Sequence, residues 1–291
     1  MKTYGDYLSG IFPGVKVQKI SIDAGFTCPN RDGTISKGGC IYCRNDSFSP
    51  SYCNAAENIK SQLEKGKKFF SRKYPEMKYL AYFQSYTGTY NKSPFELSAL
   101  YKEAISIPDV IGLVIATRPD CLSDAILSIL KDINKTTPVF IELGVESSFD
   151  STLKLINRNH SWEDVREAVK KIADYGLHCG IHLIAGLPGE NKEMILTTIK
   201  RVIKLPIETI KLHQLQILEG TVLHEKIKKG EINVPNYSLE EYLLLCRDIV
   251  HLVPDNIIIE RFLSQSPPEM VVSPKWGLKN FEFMAKLERL I

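Results

Sequence analysis

Cys28–Cys43 reads CPNRDGTISKGGCIYC: two cysteines at C-x-x-C spacing, Cys40 and Cys43, and a third, Cys28, eleven intervening residues upstream. Proline, asparagine and glycine surround them, so they ride on a loop, where thiolates can converge on one object. Three thiolates without an obvious fourth point to a metal centre with an open coordination position, which a catalytic metal needs and a structural metal lacks. The competing reading is structural zinc, with Cys53 as the fourth ligand of Cys28, Cys40 and Cys43. Zinc ribbons, however, usually present two C-x-x-C knuckles on short hairpins, and here one knuckle and a lone cysteine open a long alternation of strands and helices.

That alternation runs outward from the loop. Val17–Asp23 reads as a strand feeding it. Further strands are expected at Tyr79–Gln84, Ile111–Ala116, Val139–Val145, Cys179–Ala185 and Thr209–Leu215. Between them lie amphipathic stretches at Ala55–Phe70, Phe95–Ile105, Leu122–Ile133, Trp162–Tyr175 and Lys192–Lys204, with another at Leu239–Val250. Short apolar runs bounded by breakers and separated by such helices imply parallel strands with crossover connections. Six β/α steps make the expected fold α/β, a partial (β/α)6 TIM-type barrel, with chemistry at the carboxyl ends of its strands. A strand at Ile257–Phe262 and a helix at Leu278–Leu290 form a C-terminal extension. The expected division is a core barrel over residues 1–252 and an extension over 253–291 packed on the same domain.

Composition bounds the class. The 291 residues suffice for a large core, and net charge is only +3, which neither demands nor excludes nucleic acid. The amino-terminal MKTYGDYLSGIFPG lacks an apolar signal core, and no apolar run reaches a membrane span. Seven unevenly spaced cysteines argue against a secreted disulfide framework. A reducing cytoplasm, with no membrane partner, is the expected location.

The cysteine loop resembles the cluster loop of radical S-adenosylmethionine (SAM) enzymes, in which an aromatic residue, here Tyr42, precedes the last cysteine. Its first gap is longer than the commonest spacing and is similar to the branch that holds the catalytic subunit of Elongator. The remaining fragments follow in that branch's order: ATRPD at Ala116–Asp120, IELGVES at Ile141–Ser147, LINRNH at Leu155–His160, GIHLIAGLPGE at Gly180–Glu190, KLHQLQILEGT at Lys211–Thr221 and PKW at Pro274–Trp276. They resemble a compact bacterial family that lacks Elongator's acetyltransferase domain.

The resemblance implies a radical SAM core that uses a [4Fe–4S] cluster on Cys28, Cys40 and Cys43 to cleave SAM to a 5′-deoxyadenosyl radical. An electron donor such as flavodoxin or ferredoxin is implied as well. It places Gln84, Ser85 and Thr87 at the SAM amino group, where relatives carry a glycine-rich run. Glu146 stands where relatives carry a ribose-binding glutamine, and Arg158, twelve residues on, is placed at the SAM carboxylate. His182 is assigned to ribose or substrate, and Gly186 to the adenine. His213 and Gln216 are expected at the mouth.

The rival readings are ordinary: a solvated helix-end charge for Arg158 and a core histidine for His182. Glu142 shares a face with Glu146 by alternation and needs a cationic partner, with Lys211 and Arg118 as candidates. The resemblance also implies tRNA as a partner, with chemistry on the wobble-uridine side chain. Basic clusters at Lys65–Lys68, Arg72–Lys73, Lys200–Arg201 and Lys226–Lys229, with Phe69, Phe70 and Tyr74 among the first, would suit an RNA loop. Such runs are otherwise solvated helix faces. The alternatives are a radical SAM enzyme on a small metabolite, in the manner of coproporphyrinogen oxidase, and a non-catalytic iron–sulfur or zinc module. No catalytic residue is assigned from sequence.

Overall fold

The computed structural model describes residues 2–71 and 76–291; Arg72, Lys73 and Tyr74 lie outside the described residues. The first helix, α1 (Tyr4–Ile11), is held by a capping box. The Thr3 side chain accepts from the Asp6 backbone N–H, and the Asp6 carboxylate accepts from the Thr3 N–H. Then follow β1 (Val17–Ile22), α2 (Ile59–Ser71), β2 (Lys78–Phe83), α3 (Pro94–Ser106), β3 (Val110–Thr117), α4 (Asp124–Asn134) and β4 (Val139–Glu146). The second half continues with α5 (Asp150–Leu155), α6 (Trp162–Asp174), β5 (His178–Ala185), α7 (Lys192–Val202), β6 (Thr209–Gln214), β7 (Ile217–Leu218) and α8 (Val222–Lys228). It closes with α9 (Leu239–Leu252), β8 (Ile258–Arg261), β9 (Val271–Ser273) and α10 (Asn280–Leu287). Ser93 and Ser238 start α3 and α9 with the same reciprocal box, answered by Glu96 and Glu241.

The main sheet has the strand order β1-β2-β3-β4-β5-β6-β8, and β7 and β9 form a separate two-stranded antiparallel ribbon. The fold is therefore α/β, of the partial TIM-barrel class. The strand at Ile258–Arg261, expected as part of an extension, is a seventh member of the sheet, parallel to β6 with Thr209 opposite Ile258.

The chain divides into two compact units. The first comprises Met1–Cys28, Ser49–Gly144 and Glu167–Gly180. Its strands β1 to β3 run parallel, Val17 opposite Lys78 and, past a one-residue shift between Tyr79 and Leu80, Leu80 opposite Gly112, and β3 continues onto β4. Its sheet is curved. Lys19 on β1 reaches Glu142 on β4 at 2.5 Å, although β2 and β3 lie between. Three strand spacings in a flat sheet amount to about 14 Å, more than a lysine and a glutamate span together, so the face carrying both is concave. Helix α1 covers the amino-terminal part of that face. Leu8 joins Leu80, Tyr82, Val114 and Phe140 in one apolar cluster, flanked by Tyr4, Tyr7, Ile11 and Phe12. Helix α2 sits directly on β1: a methyl group on Gly66 would stand 2.3 Å from Ile20 Cγ2.

The second unit comprises Pro29–Phe48, Val145–Arg166 and Ile181–Ile291. Its core gathers Ile41, Leu153, Ile156, Leu187, Leu215 and Leu223. The middle of the cysteine loop is part of that core. Ile41 N–H donates to Ile156 O at 3.0 Å and Ile41 O accepts from Leu223 N–H at 2.8 Å, so the C-x-x-C segment is stitched between the ends of α5 and α8.

Candidate functional site

The long first gap of the cysteine loop is a closed hairpin. Pro29 O accepts from the N–H groups of Ile35 and Ser36, Asp32 bridges Lys37, and Gly39 N–H donates to Asn30 O at 2.8 Å. The extra residues thus loop out and return. Cys43 N–H closes a turn on Cys40 O at 2.9 Å, and Arg31 Nη2 donates to Cys43 O at 3.3 Å. Cys28 and Cys40 are buried, and no cysteine is in a disulfide.

Asn30 is fully buried. Its Nδ2 donates to Asn157 O at 2.6 Å and Arg158 O at 2.9 Å, and lies 3.6 Å from Cys40 Sγ. Arg158 is only 8% exposed, so it is not a solvated helix-end charge. Its Nη1 lies 3.9 Å from Cys40 Sγ and its Nη2 lies 3.6 Å from Glu146 Oε1. Glu146 ends β4 with φ +66°, a left-handed conformation that bulky side chains rarely adopt. The turn re-aims its carboxylate at the end of the strand. Tyr42 packs on the Ile41 cluster. Burial first, then the Glu146 and Cys40 charges, hold its phenol well above the usual range, against the pull of Arg158. In one unit the structure therefore brings together Cys40, Tyr42, Glu146 and Arg158.

The first unit holds Cys28, Gln84, Ser85 and Thr87. Gln84 Oε1 accepts from Ser21 Oγ at 2.8 Å. Ser85 and Thr87 are buried, and Thr87 N–H donates to Thr27 O at 3.3 Å, beside Cys28. Ser85 hydrogen-bonds the Cys53 sulfur; burial, with the Asp23 carboxylate nearby, pushes that thiol up to about 12. Cys53 is thus protonated and unreactive at neutral pH. Glu142 accepts from Lys19 Nζ at 2.5 Å and from Tyr82 OH at 2.6 Å, partners absent from the sequence reading. Of the two candidates named there, Lys211 meets Glu260 at 3.3 Å and Arg118 grips Asp120 in a two-bond fork.

In the second unit His182 and His213 face each other with ring centroids 5.4 Å apart, and His213 Nδ1 lies 3.2 Å from Ser264 Oγ. Gly186 has φ +95°, open only to glycine at little cost, and lines a small cavity with Gln214, Leu215, Tyr237 and Trp276. Several members of the basic clusters are answered by other groups of the chain. Lys65 pairs with Glu57, Lys67 with Glu64, Lys228 with Glu225, and Arg201 donates to Ser148 O and stacks on Phe149.

The family model described as the radical SAM superfamily matches residues 28–202, from the first cysteine of the loop through α7. The chain belongs to the radical SAM superfamily. A radical SAM C-terminal domain matches residues 207–291. Membership makes the cofactors a [4Fe–4S] cluster and SAM. The chain is 34% identical to YtqA of Bacillus subtilis (strain 168), over 95% of this chain and 85% of that protein. It is 33% identical to a tRNA uridine(34) acetyltransferase of Dehalococcoides mccartyi (strain CBDB1), over 58% of this chain but 36% of that one. Among solved structures, the archaeal Methanocaldococcus infernus Elp3 matches with a TM-score of 0.67 at 22% identity, over 95% of this chain and 63% of that one. At that identity the likeness concerns the fold.

The donor set of this radical SAM chain fits its cluster. N–H groups of Asn30 and Arg158 stand 3.6 and 3.9 Å from the Cys40 sulfur, donors of the kind that surround a ligating sulfur. The zinc alternative requires Cys28, Cys40, Cys43 and Cys53 on one ion. Cys53 has the setting of a neutral thiol, buried and hydrogen-bonded by Ser85. Sequence reasoning missed Asn30, Lys19 and Tyr82. For Asn30 a signal existed, an amide two residues after Cys28 in a loop of ligands. For Lys19 and Tyr82 none did.

Proposed function

We propose that Cys28, Cys40 and Cys43 ligate the cluster and that Gln84, Ser85, Thr87, Glu146, Arg158, His182 and Gly186 bind SAM, in an enzyme that modifies the side chain of a tRNA wobble uridine. When bound, cluster and SAM supply a 5′-deoxyadenosyl radical that abstracts hydrogen from an unreactive carbon. The residues of the chain bind, orient and exclude water. Arg158 offers a planar fork suited to a carboxylate. Glu146 offers an acceptor to a ribose hydroxyl. Tyr42, held neutral, shields the last cysteine. Gly186 leaves room for a flat ring against the backbone. The electron comes from a low-potential donor such as flavodoxin or ferredoxin.

The observation that carries the cofactor assignment is the Arg158 guanidinium, placed against both Cys40 and Glu146. One side chain there joins the cysteine loop to the end of β4. The tRNA reading draws on the identity shared with the uridine(34) acetyltransferase, since several lysines of the basic clusters are paired with carboxylates of this chain.

Anaerobic reconstitution with iron and sulfide tests the cofactor reading. The parent chain should cleave SAM to 5′-deoxyadenosine, and Cys40→Ala should stay folded and make none. A variant that still cleaves SAM would overturn the ligand assignment. For the substrate, tRNA affinity should fall steeply as salt rises, because released counterions drive phosphate binding. Affinity that stays flat would turn the reading toward a small metabolite. Nucleoside analysis of tRNA from a deletion strain should then show the altered wobble base.

A further inference from the structure

The Cys40 sulfur faces two side-chain N–H donors. Asn30 Nδ2 lies 3.6 Å from it and Arg158 Nη1 lies 3.9 Å from it, both within reach of an N–H···S contact. These donors are fixed. Asn30 Nδ2 is also tied to two carbonyls, Asn157 O and Arg158 O, so its two hydrogens serve three acceptors and the contact to sulfur is one branch of a shared bond. Arg158 is anchored through its own backbone N–H to Leu153 O at 2.7 Å. Both side chains are buried, where fixed dipoles and charges act through a lower effective dielectric than water.

Hydrogen bonds to ligating sulfurs and local net charge are among the levers that set the potential of an iron–sulfur cluster. The reduced cluster carries one more negative charge than the oxidised one. An amide hydrogen and a guanidinium aimed at the sulfur favour the form with more charge. We propose that Asn30 and Arg158 raise the reduction potential of the cluster through Cys40, and that Glu146, facing the same guanidinium, holds that potential down by compensating its charge. The inference rests on Cys40 being a cluster ligand. The redox step is the entry of one electron from a low-potential reductant into the oxidised cluster, with no proton taken up by Asn30, Arg158 or Glu146.

Glu146 gives the arrangement a direction. Its carboxylate meets Arg158 Nη2 at 3.6 Å, so the cation at the sulfur is partly neutralised from its far side. Removing the cation and removing its compensating anion must move the potential in opposite senses. A purely structural role for these residues predicts no such opposition. In this role Asn30 and Arg158 are positioning residues that act through Cys40, and a titration without SAM reads that role apart from the grip of Arg158 on the SAM carboxylate.

The test is an anaerobic redox titration of the reconstituted full chain without SAM, poised with dithionite and mediators and followed by electron paramagnetic resonance. Iron and sulfide content is measured in parallel. Arg158→Gln and Asn30→Asp should shift the midpoint to more negative values, Asn30→Asp the further because it puts an anion where a donor stood. Glu146→Gln should shift it to more positive values. Lys154→Gln, which removes an exposed cation on α5, should leave it unchanged. If Asn30→Asp loads no iron, Arg158→Gln and Glu146→Gln still decide the matter through the sign of their shifts. Coincident midpoints in loaded parent and variants would overturn this inference and leave the ligand assignment standing. A parent chain that holds no cluster would overturn the assignment, and this inference with it.

Discussion

Glu142 and Glu146 stand four residues apart on β4, yet their settings differ in kind. Glu142 is clasped: Lys19 at 2.5 Å and Tyr82 at 2.6 Å fill one oxygen each, and the Lys19 ammonium also lies 4.5 Å from the Tyr4 ring centroid. Glu146 faces Arg158 at 3.6 Å, close enough for an ion pair but too far for a hydrogen bond, on a left-handed backbone. The first arrangement locks β1, β2 and β4 together. The second leaves a cation and an anion side by side without closing them on each other. Burial alone does not mark a site; the distance at which charges are held does.

The strongest way to break this comparison is to cut the clasp. Glu142→Ala should lose about 3–5 kcal/mol of unfolding free energy in urea, because an ammonium is stranded in a buried place. The double variant Lys19→Met/Glu142→Leu should lie nearer the parent than either single change; a double variant as unstable as the single would show that the pair does more than balance charge. Arg158→Ala should leave the cluster in place and weaken SAM binding by about 10- to 150-fold, the equivalent of about 1.5–3 kcal/mol for a hydrogen bond to a charged group. Equilibrium dialysis of the reconstituted protein measures it, and unchanged affinity would remove the residue from the SAM site.

The smallest effect concerns a third carboxylate. Burial raises the Glu190 carboxyl above its ordinary value, although hydrogen bonds from Ser147 and Thr152 pull the other way. With the folded pKa raised, the folded chain holds more protons than the unfolded chain between the two values. What this group contributes is therefore most favourable in acid and declines as pH rises through that window. Glu190→Gln should improve the denaturation midpoint relative to the parent more at pH 7 than at pH 4. Equal differences at both would place the carboxyl in contact with water.

The sequence announces the strands and helices of the sheet through their apolar periods, and each expected one is present to within a few residues at most ends. What stays hidden is short or distant. Helices α5 and α8 have six and seven residues, too few for a period to emerge, and α1 carries two glycines in eight residues, which lower its helix propensity. The ends of the β-ribbon at Ile217–Leu218 and Val271–Ser273 pair across more than fifty residues. The cysteines are legible because their spacing is local. The partner of Glu142 is not, because Lys19 reaches it only when the sheet curls, and curvature belongs to no single residue. Asn30 lies between these cases: near the ligands in sequence, but given its meaning by two carbonyls from the end of α5.

Gly66 carries a consequence of its own. Glycine weakens a helix interior by about 0.5–1 kcal/mol relative to alanine, so a helix-forming residue would ordinarily be the better choice on α2. Here the added carbon would collide with Ile20, on the strand that leads toward Cys28. A random library screened for thermal resistance should therefore enrich alanine elsewhere along this segment and reject it at this position, making the smallest side chain in the helix its least replaceable one.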